Sequence, residues 1–428
     1  MFAPVAANVD VLVIGAGVAG LIAARRLGAA GHSVAILEAR ARVGGRAWTE
    51  SESLGTPFDH GAAWLHNAET NPLTAFAQAE GVALHDSDAS RREATLIEGR
   101  LAAPAELAAY ETSWRRFEAH MRARADAEAA AGNPDISAAE AAPQGGRFDA
   151  TIAYWEGDII CAAPLSGMSL QDFADNLLQG GNRLPVGGLG ALVARLAPGL
   201  PIRLSAPVTR LAWGGAEAVA EGAFGTIRAR AVIVTLPTSL IAAETIHFDP
   251  PLPAETLQAA HDLPMGAGVK VVLRAAGEER LGLPPFASLD RIIAPGETMV
   301  TLRAWPFAND TLTAYLGGPH ARAIDAQGPA ALRDAVLAEI VSRFGADARR
   351  AFRPGALTTG WMRDPWTRGL YSHARIGRAG ARSALATPLA GGRLSFAGEA
   401  CHRTLAGTVA GAWVSGEVAA EHAMGALA

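Results

Sequence analysis

The period of apolar and polar positions changes along the chain, and each change marks an element. Val11 to Ile14 is an unbroken apolar run closed by glycine, which predicts a strand buried on both faces of a parallel sheet. Leu21, Ile22, Ala23, Ala24 and Leu27 then follow a small-residue helical pattern up to Gly31, and "SVAILE" supplies a second strand ending at Glu38. From Leu107 onward, Tyr110, Trp114, Phe117 and Met121 step by three and four, one face of an amphipathic helix. Residues 130–146 are small, polar and proline-containing and predict a loop. A helix is expected around 189–196 and strands around 201–213. "AVIVTLP" is a further buried strand stopped by Pro237, whereas "VKVVLR", "MVTLRAW" and "TLTAYLGG" predict a second sheet. Leu332, Val336, Ile340 and Phe344 are spaced by fours and stop at Gly345, a helix with its C-terminal signal. Near the end, a short strand closes at "AGE" and a helix starts at about Thr408.

Length and charge narrow the classes this pattern allows. The chain has 428 residues, half of them hydrophobic, which favours two domains over one core. Net charge is -5 with no basic tract, so nucleic acid is not an expected partner. Val11 to Ala24 is too short and too broken by glycine to span a membrane. No basic segment precedes it and no cleavage site follows it, so a secretory leader is not expected. Cys161 and Cys401 suggest no disulfide framework, and no His/Cys cluster has metal-ligand spacing. A soluble cytoplasmic protein without membrane association or metal is the expectation.

The first strand, turn and helix carry the chemistry. Gly15, Gly17 and Gly20 spell G-x-G-x-x-G between two strands, and Glu38 follows Gly20 at about the spacing of a carboxylate that accepts ribose hydroxyls. Gly17 lets the backbone approach a pyrophosphate whose charge the helix N-terminus favours. This predicts dinucleotide binding, with nicotinamide or flavin both open on the motif alone.

The sequence continues "EARARVGGR", from Glu38 through Arg40 and Arg42 to Gly44, Gly45 and Arg46. This extension resembles flavoproteins of the amine oxidase superfamily, the monoamine and polyamine oxidases. Two further segments resemble the polyamine oxidase and flavin-dependent demethylase branch: "TGWMRDPWTRGLYS" (359–372) and "LSFAGEACHRTLAGTVAGAWVSGEVAA" (394–420). The resemblance implies an α/β fold with an α+β substrate domain, in which a Rossmann-like FAD-binding domain interleaves with a mixed-sheet-plus-helices substrate domain. The FAD-binding parts are expected at 1–70, 181–250 and 369–428, and the substrate parts at 71–180 and 251–368. It also implies non-covalent FAD held by Gly15, Gly17, Gly20, Glu38, Arg40, Gly45, Arg46, Gly61, Ala62, Ala63, Trp64, Val208, Trp361, Gly398, Glu399, Thr408 and Val409. Arg46 would sit by the phosphates, Glu399 by the ribityl and pyrophosphate region, and the amides near Thr408 and Val409 by the flavin's pyrimidine edge. Reduced flavin gains negative charge at that edge, which a helix N-terminus stabilises.

The chain's only lysine, Lys270, lies in the apolar run "VKVVLR"; every other basic residue among the 37 is arginine. The resemblance places this lysine at the flavin N5 through a water. A cation there stabilises charge developing on the ring and on superoxide, and unlike arginine it can release its proton. The implied catalytic set is Lys270, His66, Trp361, Tyr371 and Thr408, with His66 at the substrate amine and Trp361 and Tyr371 as walls. The implied reaction is hydride transfer from the carbon next to a neutral amine, imine hydrolysis, and return of electrons to oxygen as hydrogen peroxide, or to another acceptor. "HGAAWLHNAE" contains no arginine where the superfamily's amino-acid oxidases hold a carboxylate, so a polyamine or another amine without an α-carboxylate is expected. A small monoamine, an L-amino acid, a desaturase or porphyrinogen-type reaction and a non-catalytic FAD-binding role are the alternatives.

Covalently flavinylated relatives carry a cysteine immediately before the tyrosine corresponding to Tyr371; here the residue is Leu370. They also have a second tyrosine where this chain has Thr408. Acid precipitation is therefore expected to release the flavin into the supernatant, and a yellow pellet contradicts this.

Overall fold

The computed structural model describes residues 2–428. The chain divides into two compact units, Met1–Asp86, Asn176–Met265 and Asp364–Ala428 in one, Ser87–Asp175 and Gly266–Arg363 in the other. The first boundary lies beyond residue 70 because the strand Leu84–Asp86 pairs with Arg183–Pro185 within the first unit. The boundary after Met265 has a similar cause, since Met265 bridges to Ser372.

In the first unit, β1 (Asn8–Ile14), α1 (Val18–Ala29) and β2 (Val34–Leu37) form the expected βαβ element, with Ile14 opposite Leu37 in a parallel pair. Strands β3 (Ile202–Arg203), β4 (Arg210–Ala212), β5 (Ala218–Gly222), β6 (Gly225–Val234) and β7 (His247–Asp249) extend it. The eight-stranded sheet runs β3-β2-β1-β6-β5-β4-β7, with Leu394–Phe396 paired to β6. Side chains along a strand alternate between faces. Val11, Val13, Ile36 and Ile233 accordingly join a core with α1 and the C-terminal helix Val409–Leu427, while Leu12, Ile14, Leu37, Val232 and Val234 join a second core on the other face. Cores on both faces are why β1, β2 and the end of β6 read as continuous apolar runs.

In the second unit, β8 (Gly268–Arg274), β9 (Ala287–Leu289), β10 (Thr301–Ala304) and β11 (Thr311–Gly317) belong to a six-stranded sheet. Its order is Leu357–Thr358, β8, β11, β10, β9, Arg92–Glu93. Val269, Val271, Leu273, Leu302, Leu312, Ala314 and Leu316 form a core with Leu332, Val336, Leu337 and Ile340 of the helix Pro329–Phe344. The helix α2 (Pro104–Ala131) buries Tyr110, Phe117, Met121 and Ala125.

The stretch expected as a loop over 130–146 is only partly so. The helix α2 continues to Ala131 because its last turns are rich in alanine, and it stops at Gly132, whose φ of 68° suits glycine. A one-turn helix, Ala138–Ala141, then forms because the Ser137 side chain accepts the Glu140 N–H. No helix among the described residues is long and apolar enough to cross a membrane.

Close backbone approach around α1 depends on two glycines. A Cβ at Gly20 would lie 2.0 Å from the Gly15 carbonyl oxygen, and one at Gly416 would lie 2.4 Å from the Ala19 carbonyl oxygen, where the last helix meets α1. Gly28, in the same α1, faces open space. Gly416→Ala is therefore expected to destabilise by about 1–3 kcal/mol and Gly28→Ala to stabilise by roughly 0.5–1 kcal/mol. Urea unfolding of the two variants side by side checks this, and equal effects would contradict the packing described.

Candidate functional site

The glycine turn between β1 and α1 presents an open helix N-terminus. Gly17 is the N-cap of α1, with no side-chain cap and no acidic residue in the first turn. A Cβ at Gly17 would meet nothing within 4 Å, whereas one at Gly45 would lie 3.3 Å from the Gly17 Cα. The turn is thus backed by the Gly44–Gly45 segment, which also bridges to it through the Gly44 N–H and the Ala16 carbonyl. Uncapped N–H groups and the helix dipole favour an anion at such a place. These residues fit the pyrophosphate of a dinucleotide such as FAD.

Glu38 is buried and holds the turn. Its Oε2 accepts the Ala16 N–H at 2.7 Å and its Oε1 accepts the Arg40 N–H at 2.8 Å. The Arg40 side chain is committed elsewhere. Its guanidinium donates to both Asp364 oxygens, at 2.5 and 2.8 Å, and to Thr367 Oγ1 at 2.7 Å. Burial pushes the Asp364 carboxyl up, but the Arg40 hydrogen bond and charge outweigh this and leave it below the ordinary carboxylate range. Arg40 therefore acts as a clamp on the aromatic segment in the first unit. Arg42 donates to the Val43 and Gly45 carbonyls and lies over the Trp48 ring. Val208 is part of the core beneath the sheet.

Glu399 gathers three distant segments. Its Oε1 accepts from Arg46 at 2.8 Å and the Ser372 N–H at 3.1 Å; its Oε2 accepts from Ser372 Oγ at 2.8 Å and the Gly407 N–H at 2.9 Å. Arg46 also donates to the Leu370 carbonyl at 2.8 Å. A carboxylate has roughly four acceptor sites, and protein donors take all of them here. Glu399 thus organises the surroundings of Arg46 and Tyr371. A second cation, Arg382, is almost wholly buried and donates to Ser372 Oγ at 2.9 Å. Arg382 was missed in the sequence, because "AGARSALA" carries no signal that an arginine there is buried.

Gly398 is tied to Ser415, whose hydroxyl accepts the Gly398 N–H at 2.9 Å. Thr408 caps the last helix. Its Oγ1 accepts the Gly411 N–H at 3.0 Å and donates to the Leu405 carbonyl at 2.7 Å, so its hydroxyl shapes the helix start that Val409 begins. Gly407 leaves space beside the Tyr371 ring, whose Cδ2 would lie 3.5 Å from an added Cβ. The segment Gly61–Trp64 is half-buried and returns to Arg46 through the Ala62 N–H, 3.1 Å from the Arg46 carbonyl. His66 Nδ1 is 2.6 Å from Asn182 Oδ1, and its ring stacks with Trp64 at 6.4 Å. An amide oxygen only accepts, so Nδ1 carries the proton and Nε2 is the acceptor in the neutral ring. Asn182 was not foreseen from the sequence.

In the second unit, Lys270 occupies β8 with its backbone fixed on both sides of one residue. The Lys270 N–H donates to Thr359 Oγ1 at 2.9 Å, and the Thr359 N–H donates to the Lys270 carbonyl at 3.0 Å. Trp361, two residues on, is buried, and Lys270 Nζ lies 5.8 Å from the Tyr315 ring centroid. The acidic residues of this unit do not behave as a simple negative field. Glu156 sits in a π-helical turn, Trp155–Cys161, and accepts from Trp114 Nε1 at 2.5 Å. Burial, with Glu118 beside it, pushes its carboxyl up to about 8, and burial pushes Asp158 up to about 6. No group of three His, Cys, Asp or Glu among the described residues could hold a metal ion.

A glycine-turn βαβ unit with an interleaved second unit defines an α/β fold of the nucleotide-binding class. The model of the family described as flavin containing amine oxidoreductase matches residues 18–424, and the chain belongs to that family. It is 26% identical to human lysine-specific histone demethylase 2 over 96% of its own length and 52% of that protein's. The chain thus spans about half the length of the demethylase. It is 28% identical to polyamine oxidase 4 of Oryza sativa subsp. japonica, covering 96% of this chain and 88% of that one. A solved structure of wild-type putrescine oxidase bound to putrescine shares the fold, with a TM-score of 0.80 at 21% identity over 97% of this chain and 98% of that one.

Burial alone would raise the Glu399 carboxyl, but Arg46 and Arg382 more than offset this and hold it below its ordinary value of 4.5. A depressed folded value means the stabilisation is present above that ordinary value and lost as pH falls through the folded one. Glu399→Gln leaves the buried Arg382 and the part-buried Arg46 guanidinium without their counter-charge and is expected to cost about 3–5 kcal/mol at neutral pH. It should also flatten the acid limb of stability. Urea unfolding from pH 7 downward checks both, and an unchanged acid limb contradicts the assignment.

Proposed function

We propose that the chain is an FAD-dependent amine oxidase acting on an amine without an α-carboxylate, with polyamines the first class to test. The observation that carries this reading is Lys270, the only lysine, held in an apolar strand with its backbone locked to Thr359 and Trp361 close behind. FAD, when bound non-covalently, would accept a hydride from the carbon next to the amine and pass the electrons to oxygen, while water hydrolyses the imine.

The chain's own residues divide the remaining work. In its neutral form the His66 ring, with its tautomer set by Asn182, offers Nε2 as an acceptor for a proton of the substrate amine. The helix start at Thr408 and Val409 favours negative charge in front of it. Lys270 supplies a cation that can release and regain a proton, which a guanidinium cannot. Leu370 before Tyr371 removes the thiol that a covalent flavin link would use.

Two observations bear on the substrate. No arginine occurs in residues 60–69, which disfavours a carboxylate-bearing amine. The names of the relatives, polyamine oxidase and putrescine oxidase, support a polyamine.

Anaerobic mixing with a panel of polyamines, monoamines and amino acids is expected to bleach the flavin absorbance with amines and not with amino acids. Bleaching by amino acids alone overturns the substrate reading. Lys270→Met is expected to slow flavin reduction or reoxidation by about 10²–10³-fold, the scale of losing one preorganised electrostatic group, with flavin content unchanged. Normal turnover in that variant contradicts the assigned role.

A further inference from the structure

The row of the second sheet that carries Lys270 is polar across four strands. Lys270 on β8 pairs with Tyr315 on β11, and Tyr315 pairs with Thr301 on β10. Asp290 follows the Leu289–Leu302 pair of β9 and β10 by one residue, which puts it on the row of Thr301. The adjacent row on this face runs through Thr313, Arg303, Ser288 and Glu93. The alternate residues of the same strands form the apolar core on the opposite face. A strip of hydroxyl, phenol and carboxyl groups therefore leads from the lysine into the unit, and Thr301, Ser288 and Asp290 are buried in it.

Buried polar groups are ordinarily hydrogen-bonded. Four polar atoms here have no protein partner: Asp290 Oδ1, Thr301 Oγ1, Tyr110 Oη and Trp155 Nε1. They share one neighbourhood. Tyr110 feels the charges of Asp290, Glu93, Glu156 and Arg303, and the Arg303 guanidinium lies 5.3 Å from the Trp155 ring centroid. One such atom would be unremarkable. Four together supply the two to four polar partners that each buried water needs.

Asp290 is the acid at the inner end. Burial pushes its carboxyl up to about 6, with Glu93 acting in the same direction and Arg303, Arg343 and Arg91 opposing. Arg303 comes no closer than 3.9 Å, too long for a direct hydrogen bond.

We propose that this strip holds a chain of ordered waters that links Lys270 to the buried carboxyl of Asp290, making Asp290 a positioning residue that sets the lysine's protonation. The proposal rests on the reading of Lys270 as a proton-handling group. A proton leaves the Asp290 carboxyl, passes through waters and the Thr301 and Tyr315 hydroxyls, and ends on the neutral amine of Lys270. Only O–H and N–H bonds break and form, and no electrons are transferred.

Because the chain has one lysine, protein grown on [13Cε]lysine gives a single lysine resonance whose shift follows Nζ protonation. The expected result is a main titration of Lys270 and a second inflection near pH 6 as Asp290 ionises. Asp290→Asn should remove the second inflection. It should also lower the lysine midpoint by about 0.2–0.9 pH units, the Coulomb coupling across three strand spacings of roughly 4.8 Å. A high-resolution crystal structure should show waters bridging Asp290 Oδ1, Thr301 Oγ1 and Tyr110 Oη. A single inflection in the wild-type titration, or no ordered water between Asp290 and Thr301, overturns the proposal. Both wild-type measurements decide it even where the variant fails to fold, and neither requires turnover, so failure here leaves the oxidase reading standing.

Discussion

A carboxylate taken out of water must be surrounded by donors, and at Glu399 that requirement ties together residues more than 300 positions apart. Arg46 arrives from the glycine extension, Ser372 from the aromatic segment, and the Gly407 amide from the turn before the last helix. Removing water from one carboxylate costs several kcal/mol, and two guanidinium groups with two backbone N–H groups offset that cost. The geometry of the first unit's ligand face follows from this contact. The helix start at Thr408, the Tyr371 ring and the Arg46 side chain cannot shift independently, because one acid holds the Ser372 and Gly407 amides and the Arg46 guanidinium together. Arg40 and Asp364 repeat the principle in the same unit, with a bidentate pair in place of a hub.

The second unit works by a different constraint, the two-residue period of a strand. One face of its sheet is committed to an apolar core, so every residue between the core positions must point the other way. Lys270 sits at such a position, with Tyr315 and Thr301 beside it on neighbouring strands. A lysine in an apolar run is therefore compatible with a folded sheet: Val269 and Val271 enter the core and the amine does not. What the lysine can do depends on the polar residues that share its face.

Legibility in the sequence followed the range of the interactions. The βαβ element, the glycine turn and the amphipathic helix were readable because period and turn chemistry are local, and they led to the family. The helix of 138–141 was not, since it depends on one serine cap inside a polar stretch. At the site, Gly15, Gly17, Gly20 and Glu38 were visible in one motif, and they form an uncapped helix start whose turn is held by a buried carboxylate. Arg40 and Glu399 were picked out as cofactor-binding positions, while the protein groups they also meet, Asp364 and the Gly407 amide, were not legible. A charge pattern gives no hint of which buried group an arginine will meet. Asn182, Arg382, Asp290 and Thr301 were invisible for the same reason, each depending on contacts made across the fold.

Lys270 is proposed to act at the reactive edge of a bound flavin. The most direct measurement is a crystal structure of the flavin-loaded protein with the Lys270 amine resolved. Nζ is expected about 5–6 Å from the ring N5, with one ordered water between them, the span of two ordinary hydrogen bonds. An amine turned away from the ring, or a ring whose N5 faces another residue, contradicts it.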